Sequence, residues 1–261
     1  MEFKHVTLAI EADVATVTLD HPQVLNALSL DMLEGLAQAM DVIEDKASGV
    51  RCVILTGAGK AFCAGANLQS AGPIDKRGVG AALESHYHPL LRRIRRLRCP
   101  IITVVNGAAA GAGMSLALMG DLKLAAHSAY FLQAFRRIGL VPDAGSTYML
   151  PRLIGVTRAM ELSLLGEKLP AETALAWGLI NRVYADGDLT GEALALARAL
   201  AQGPTLSLAL TRALYWDSPD NTFEDQLDLE FRTQRVAGES DDFKEGVRAF
   251  LQKRPAQFTG A

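Results

Sequence analysis

Two glycine-rich segments constrain this chain more than anything else in it: GAGKAFCAGANL at 57–68 and NGAAAGAGMSL at 106–116, each directly after an apolar run, CVILT at 52–56 and IITVV at 101–105. A buried strand that empties into glycine and alanine must turn sharply toward a helix, with no side chain shielding its backbone. Three familiar uses of such turns fail. A dinucleotide fingerprint needs glycine at its sixth position, where these segments carry Phe62 and Leu116. A phosphate loop needs Ser or Thr after its lysine, and Gly59-Lys60 leads to Ala61. A serine-hydrolase elbow comes within one residue at 113–117 (GMSLA). Of the histidines His5, His21, His86, His88 and His127, however, only His127 follows Ser115, and too closely for an acid and a histidine to complete a triad. Ser115 is expected instead to pack or hydrogen-bond at a tight helix start. What remains is that the turns present backbone N–H groups, two of them toward one carbonyl oxygen, or that their glycines simply allow close packing.

The rest of the chain sets these turns in a repeating α/β arrangement. Residues 7–10 and 15–19 alternate around Ala12 and Asp13 as a hairpin, and Ser29 caps an amphipathic helix expected over 30–46 ahead of strand 52–56. The order recurs as helix 90–97, strand 101–105, a glycine turn, a short helix and strand 122–125, two turns of one spiral joined by crossovers. From Pro170 the pattern is helical, with Gly178 near the first helix end, a brief strand 180–183 and helices to 253. Residues 1–200 are expected to form the core and its site, and 201–261 a helical region packed on that core or on another subunit.

At 261 residues and 49% hydrophobic, the chain can bury a large core. A net charge of -3 supplies no global attraction for nucleic acid or anionic lipid, and neither is expected as a partner. Arg92, Arg93, Arg95, Arg96 and Arg98 lie opposite Leu90, Leu91, Ile94 and Leu97 and are expected as a solvated helix face. Cys52, Cys63 and Cys99 form no CxxC and cannot all pair, which argues against a disulfide framework or a structural zinc site. The N-terminus lacks the basic and apolar stretches of an export signal, and the longest apolar run, 108–120, falls short of the ~20 residues that span a bilayer. A cytoplasmic location is the expectation.

AFCAGANL at 61–68 resembles the first oxyanion motif of the enoyl-CoA hydratase/isomerase (crotonase) superfamily, and NGAAAGAG at 106–113 resembles the second. GLVPDAGST at 139–147, LPRLIG at 150–155, ALAWGLIN at 174–181, and DFKEG at 242–246 through Lys253-Arg254 resemble the same family in order and spacing, so the likeness spans nearly the whole chain. It implies a spiral of ββα units with a C-terminal helical trimerisation region, as a homotrimer or two stacked trimers. It also implies an acyl-CoA thioester substrate, with coenzyme A part of that substrate and no separate cofactor or metal. The matching positions make the amides of Ala64 and Ala112 the oxyanion donors and place Ala66 and Lys253 at coenzyme A. Ala112 departs mildly from a position that is often glycine, which a backbone donor tolerates.

Two amides on a thioester carbonyl stabilise an enolate, one donor typically contributing about 3 to 4 kcal/mol to the barrier. The acid and base groups must then select the reaction. The two glutamates that family hydratases place around a water correspond here to Ser115 and Phe135. Asp143 stands where isomerases and dehalogenases carry a catalytic aspartate, although an N-cap for the following helix is the other role open to it. Residues 135–143 most resemble the branch that rearranges a ring-epoxide of phenylacetyl-CoA, and next the fatty-acid enoyl-CoA isomerases. The resemblance therefore implies an isomerase, with a hydratase and a non-catalytic acyl-CoA binder as alternatives. His88 matches in spacing a histidine of the dehalogenase branch, but that branch carries tryptophan where Phe135 stands, so His88 is expected as a surface or capping residue.

Overall fold

In the computed structural model, which describes residues 1–68 and 80–260, the chain begins as the alternation requires. β1 (Glu2–Phe3), β2 (Val6–Glu11) and β3 (Val14–Leu19) form an antiparallel meander. Ala12 (φ 47°) and Asp13 (φ 64°) are both left-handed, as a two-residue turn between twisted strands demands, although neither is glycine. Ser29 accepts the Met32 amide at 3.1 Å and starts α1 (Leu30–Glu44). The helix stops two residues earlier than its periodicity extends, because Asp45 adopts an extended backbone and caps a short 3-10 turn, Lys46–Ser48. Ser29→Ala is expected to cost about 1 kcal/mol, measured as a lower urea midpoint at an unchanged slope.

Three turns of a ββα spiral follow, one more than the apolar runs announce. The first has β4 (Cys52–Gly57) and β5 (Ala61–Cys63), then α2 (Gly80–Ala82), one π-helical turn (Leu83–Tyr87) and α3 (His88–Arg95). The second has β6 (Ile101–Val105), β7 (Ala108–Ala110) and α4 (Ala112–Ala117). The third has β8 (Leu122–Ala126), β9 (Tyr130–Leu132) and, after a 3-10 turn, α5 (Ser146–Leu165), broken at Gly155. β10 (Lys168–Pro170), α6 (Ala171–Trp177) and β11 (Arg182–Tyr184) complete the core. The first strand of each turn joins a seven-stranded sheet ordered β1-β2-β3-β4-β6-β8-β11, parallel from β3 onward. The second joins a smaller sheet ordered β10-β9-β7-β5. Because β11 pairs in parallel with β8, it extends to Tyr184 opposite Ala126 rather than ending at the hydrophobic run.

The larger sheet is apolar on both faces: α1 packs on β2 and β3, and α7 (Leu189–Ala201) on β4, β6 and β8. Cys52, Cys63 and Cys99 are buried and free, and burial pushes each thiol up to about 12. α8 (Thr205–Asp217), α9 (Phe223–Glu239) and α10 (Asp241–Leu251) form the helical C-terminal part. Of the arginine cluster, Arg93 is tied to Asp41 and Glu44 and Arg95 to Asp217, while Arg92, Arg96 and Arg98 are exposed. Among the described residues no single helix is long and apolar enough to cross a membrane.

Candidate active site

The two glycine turns leave the same end of adjacent parallel strands, and two asparagines pin them. Asn26, fully buried, donates to the carbonyls of Ala58 and Ala61 at 2.9 and 2.8 Å. Asn106 accepts the Gly57 amide at 3.3 Å and donates to Gly59 at 3.0 Å, fastening the second turn to the first. Gly65 has φ +102°, and a side chain there would lie 2.9 Å from the Ala110 carbonyl and 3.7 Å from the Ala112 nitrogen. A side chain on Gly113 would come 2.6 Å from the Cys63 sulfur. The two proposed uses of these glycines are therefore one: close packing is what brings the two backbones together.

Which amides are free depends on what surrounds them. The Ala64 N–H donates to the Leu25 carbonyl at 3.0 Å, so the motif-based assignment of Ala64 as a donor is corrected. Leu28 instead bridges Ala66, giving its amide to the Gly65 carbonyl at 2.7 Å and accepting from Asn67 at 2.9 Å. Such a bridge uses the groups on either side of Ala66 and turns its own N–H the other way, where among the described residues it meets no acceptor. Ala112 is the first residue of α4, so its N–H is one of the first-turn donors that no intrahelical carbonyl satisfies. The adjacent Gly111 amide is spent on the Leu132 carbonyl at 2.8 Å. Among the described residues the free pair is thus Ala66 and Ala112, on segments that approach each other at Gly65.

Asp143 lies in the loop before α5. Its carboxylate does not cap that helix: Gly145, at φ 84°, holds the N-cap position with no side-chain bond. One carboxylate oxygen, Oδ1, is buried and unpartnered among the described residues. Burial raises the Asp143 carboxyl to about 6, and the charge of nearby His88 pulls it part of the way back. His88 itself is half-buried and stands at the C-cap of the π-helical turn, its backbone N–H on the Leu83 carbonyl, as the capping expectation has it, with its ring near Asp143 as well. The π-helical turn just before it buries Tyr87, whose phenol is raised by burial and by the charges of Cys63 and Asp143. Asp143, Tyr87 and His88 thus share one environment against the first glycine turn.

Ser115 is fully buried, and its hydroxyl donates to the Asp143 carbonyl at 3.0 Å. His127 is exposed and lies 3.9 Å from Glu172. No serine nucleophile is assembled. Phe135 is buried, its ring tip 3.9 Å from where a side chain on Gly111 would stand, so an apolar wall occupies the second position where a hydratase needs a carboxylate. Lys253 is exposed, at φ 53° on the turn after α10. The chain beyond it docks on Arg51, which donates to the Phe258 carbonyl at 3.2 Å before the opening of β4, whereas the glycine turns leave the far ends of the strands.

The chain matches the model of the family described as enoyl-CoA hydratase/isomerase over residues 9–261. It belongs to that family. It is 46% identical over 264 residues to the 1,2-epoxyphenylacetyl-CoA isomerase of Escherichia coli (strain K12), covering 100% of this chain and 99% of that protein. It is 32% identical to the trans-2-decenoyl-[acyl-carrier-protein] isomerase of Streptococcus mutans serotype c, with both chains fully covered. Among solved structures, the enoyl-CoA hydratase of Bacillus anthracis superposes with a TM-score of 0.93 at 31% identity, covering 98% of this chain and 100% of that one. The fold is the crotonase fold, and the chain is an acyl-CoA-processing enzyme of the hydratase/isomerase family.

Proposed function

We propose that this enzyme isomerises an acyl-CoA thioester, an enoyl-CoA or 1,2-epoxyphenylacetyl-CoA, without adding water. The observation that carries the reading is the Asp143 carboxylate: one of its oxygens, Oδ1, is buried and unpartnered among the described residues, the group is raised to about 6, and its backbone carbonyl is held by Ser115, one helical turn beyond the Ala112 amide. In this mechanism the amides of Ala66 and Ala112 take the charge developing on the thioester oxygen. With an enoyl-CoA, Asp143 removes a proton from the acyl chain and returns it to the dienolate at another carbon, so that the C=C bond shifts and no atom is gained or lost. A base whose pKa lies near the working pH suits a proton that must be both taken and returned. The hydratase alternative lacks its carboxylates, since Ser115 and Phe135 hold those positions. The 46% identity to a 1,2-epoxyphenylacetyl-CoA isomerase supports the substrate class.

The helices after residue 200 serve, in the same proposal, as the contact surface of a homotrimer or a pair of trimers. In support, α9 buries none of its own residues, and Phe231 and Phe250 are 64% and 82% exposed. The acyl chemistry is tested by incubating the protein separately with a 3-enoyl-CoA, a 2-enoyl-CoA and 1,2-epoxyphenylacetyl-CoA and resolving products by mass and chromatography. An isomer of unchanged mass is expected from the first or the third. A 2-enoyl-CoA that gains one water at a comparable rate would replace this reading with the hydratase.

A further inference from the structure

Ser115 makes no contact that the proposed proton transfer needs directly, yet it is completely buried between two parts of the site. Its hydroxyl has one proton to give. The Asp143 carbonyl at 3.0 Å is the better acceptor, because the Gly111 carbonyl lies 3.4 Å away and already receives the Ser115 amide at 3.1 Å. Ser115 is on α4, three residues after Ala112, or about 4.5 Å along the helix axis. One hydroxyl therefore links the helix that carries an oxyanion amide to the loop that carries the base.

That loop needs holding. Ala144, next to Asp143, is left-handed without being glycine (φ 50°), a conformation that persists only where its surroundings impose it. Besides Ser115, the Asp143 carbonyl receives the Ser146 amide at 3.0 Å, but that bond lies inside the loop and moves with it. Ser146 is steadied in turn by Gln133, whose side-chain amide stands 3.4 Å from its hydroxyl. Ser115 supplies the bond from outside the loop to this carbonyl, and it comes from the oxyanion helix. We infer that Ser115 is a positioning residue that sets the spacing between the Ala112 amide and the Asp143 carboxylate.

The inference rests on Asp143 being the base, and its test separates the two. Ser115→Ala, Asp143→Asn and the parent protein would be compared for turnover of a 3-enoyl-CoA and of 1,2-epoxyphenylacetyl-CoA, with thermal unfolding measured alongside. For Ser115→Ala a fall in kcat of about 10- to 100-fold is expected, with KM within about twofold, because a misplaced base slows the chemical step without weakening binding of the thioester. If kcat is unchanged, or if KM rises in step with the loss, the positioning role is overturned. If Asp143→Asn keeps full turnover, the base reading falls and the positioning role with it. If Asp143→Asn is inactive while Ser115→Ala turns over normally, only the present inference falls. Should Ser115→Ala fail to fold, Ser115→Cys, which keeps the volume and leaves a weak donor, carries the same comparison.

Discussion

Asp143→Asn is expected to lower turnover by about 10²- to 10⁴-fold, the range that a positioned general base contributes, and at the same time to make the protein more stable at pH 8. Both effects have one cause. The carboxyl is raised from its ordinary 3.8 to about 6 because burial disfavours its charge, with only the His88 charge opposing. The folded state therefore holds that proton more tightly than the unfolded chain. The resulting stabilisation is present below the unfolded pKa and is lost as the pH rises through the folded value of about 6. Asn carries no charge to desolvate. Above that pH the variant should gain about 1 to 2 kcal/mol, a figure reduced for the part of the carboxyl that water reaches, and the gain should vanish near pH 4. Thermal melts at the two pH values check the stability, and the parent enzyme's kcat/KM should show an acid limb near pH 6 that the variant lacks.

Arg212→Leu is expected to cost about 3 to 5 kcal/mol, as much as half the stability of a marginal domain. The guanidinium side chain is 5% exposed and every one of its nitrogens is occupied. Nε meets both Asp121 oxygens at 2.7 and 2.6 Å, and the other two nitrogens take the carbonyls of Ile94, Arg95 and Leu97 at the end of α3. Asp121 also accepts the Ile101 amide at 2.8 Å, so α8, α3 and the start of β6 meet at this one group. Burial holds the Asp121 carboxyl above the usual range while Arg212 pulls it back, so removing the arginine leaves a buried acid with only the smaller influence of the Lys123 charge against it. Adding Asp121→Asn to Arg212→Leu should recover part of the loss, since Asn keeps an acceptor for Ile101 without the charge. Urea unfolding of the two variants measures the coupling, and an Arg212→Leu protein within about 1 kcal/mol of the parent would contradict it.

Ser29, Pro170 and Gly178 mark helix ends through their own backbone and side-chain chemistry, and the runs at 52–56, 101–105 and 122–125 are predominantly apolar buried strands, in which Thr103 and Lys123 place their polar ends on the Ala117 and Gly120 carbonyls. Those signals act over a few residues, so sequence alone determined the α/β class, the hairpin, the turns and the neighbourhood of the site. The smaller sheet left no such trace. β7 is three alanines, which pair only because the larger sheet holds β5 and β9 on either side of them. The site's final choices were also tertiary. The Ala64 amide is spent, and the Ala66 amide is without an acceptor among the described residues, because Leu25 and Leu28, distant in the chain, lie against them. The Asp143 carboxylate is raised, with one oxygen unpartnered among the described residues, rather than capping α5, because Gly145 takes the cap and the acid is partly buried. Residue types determined which groups could donate, accept or ionise. Which of them remain free to act was decided by partners that only the packed chain brings into range.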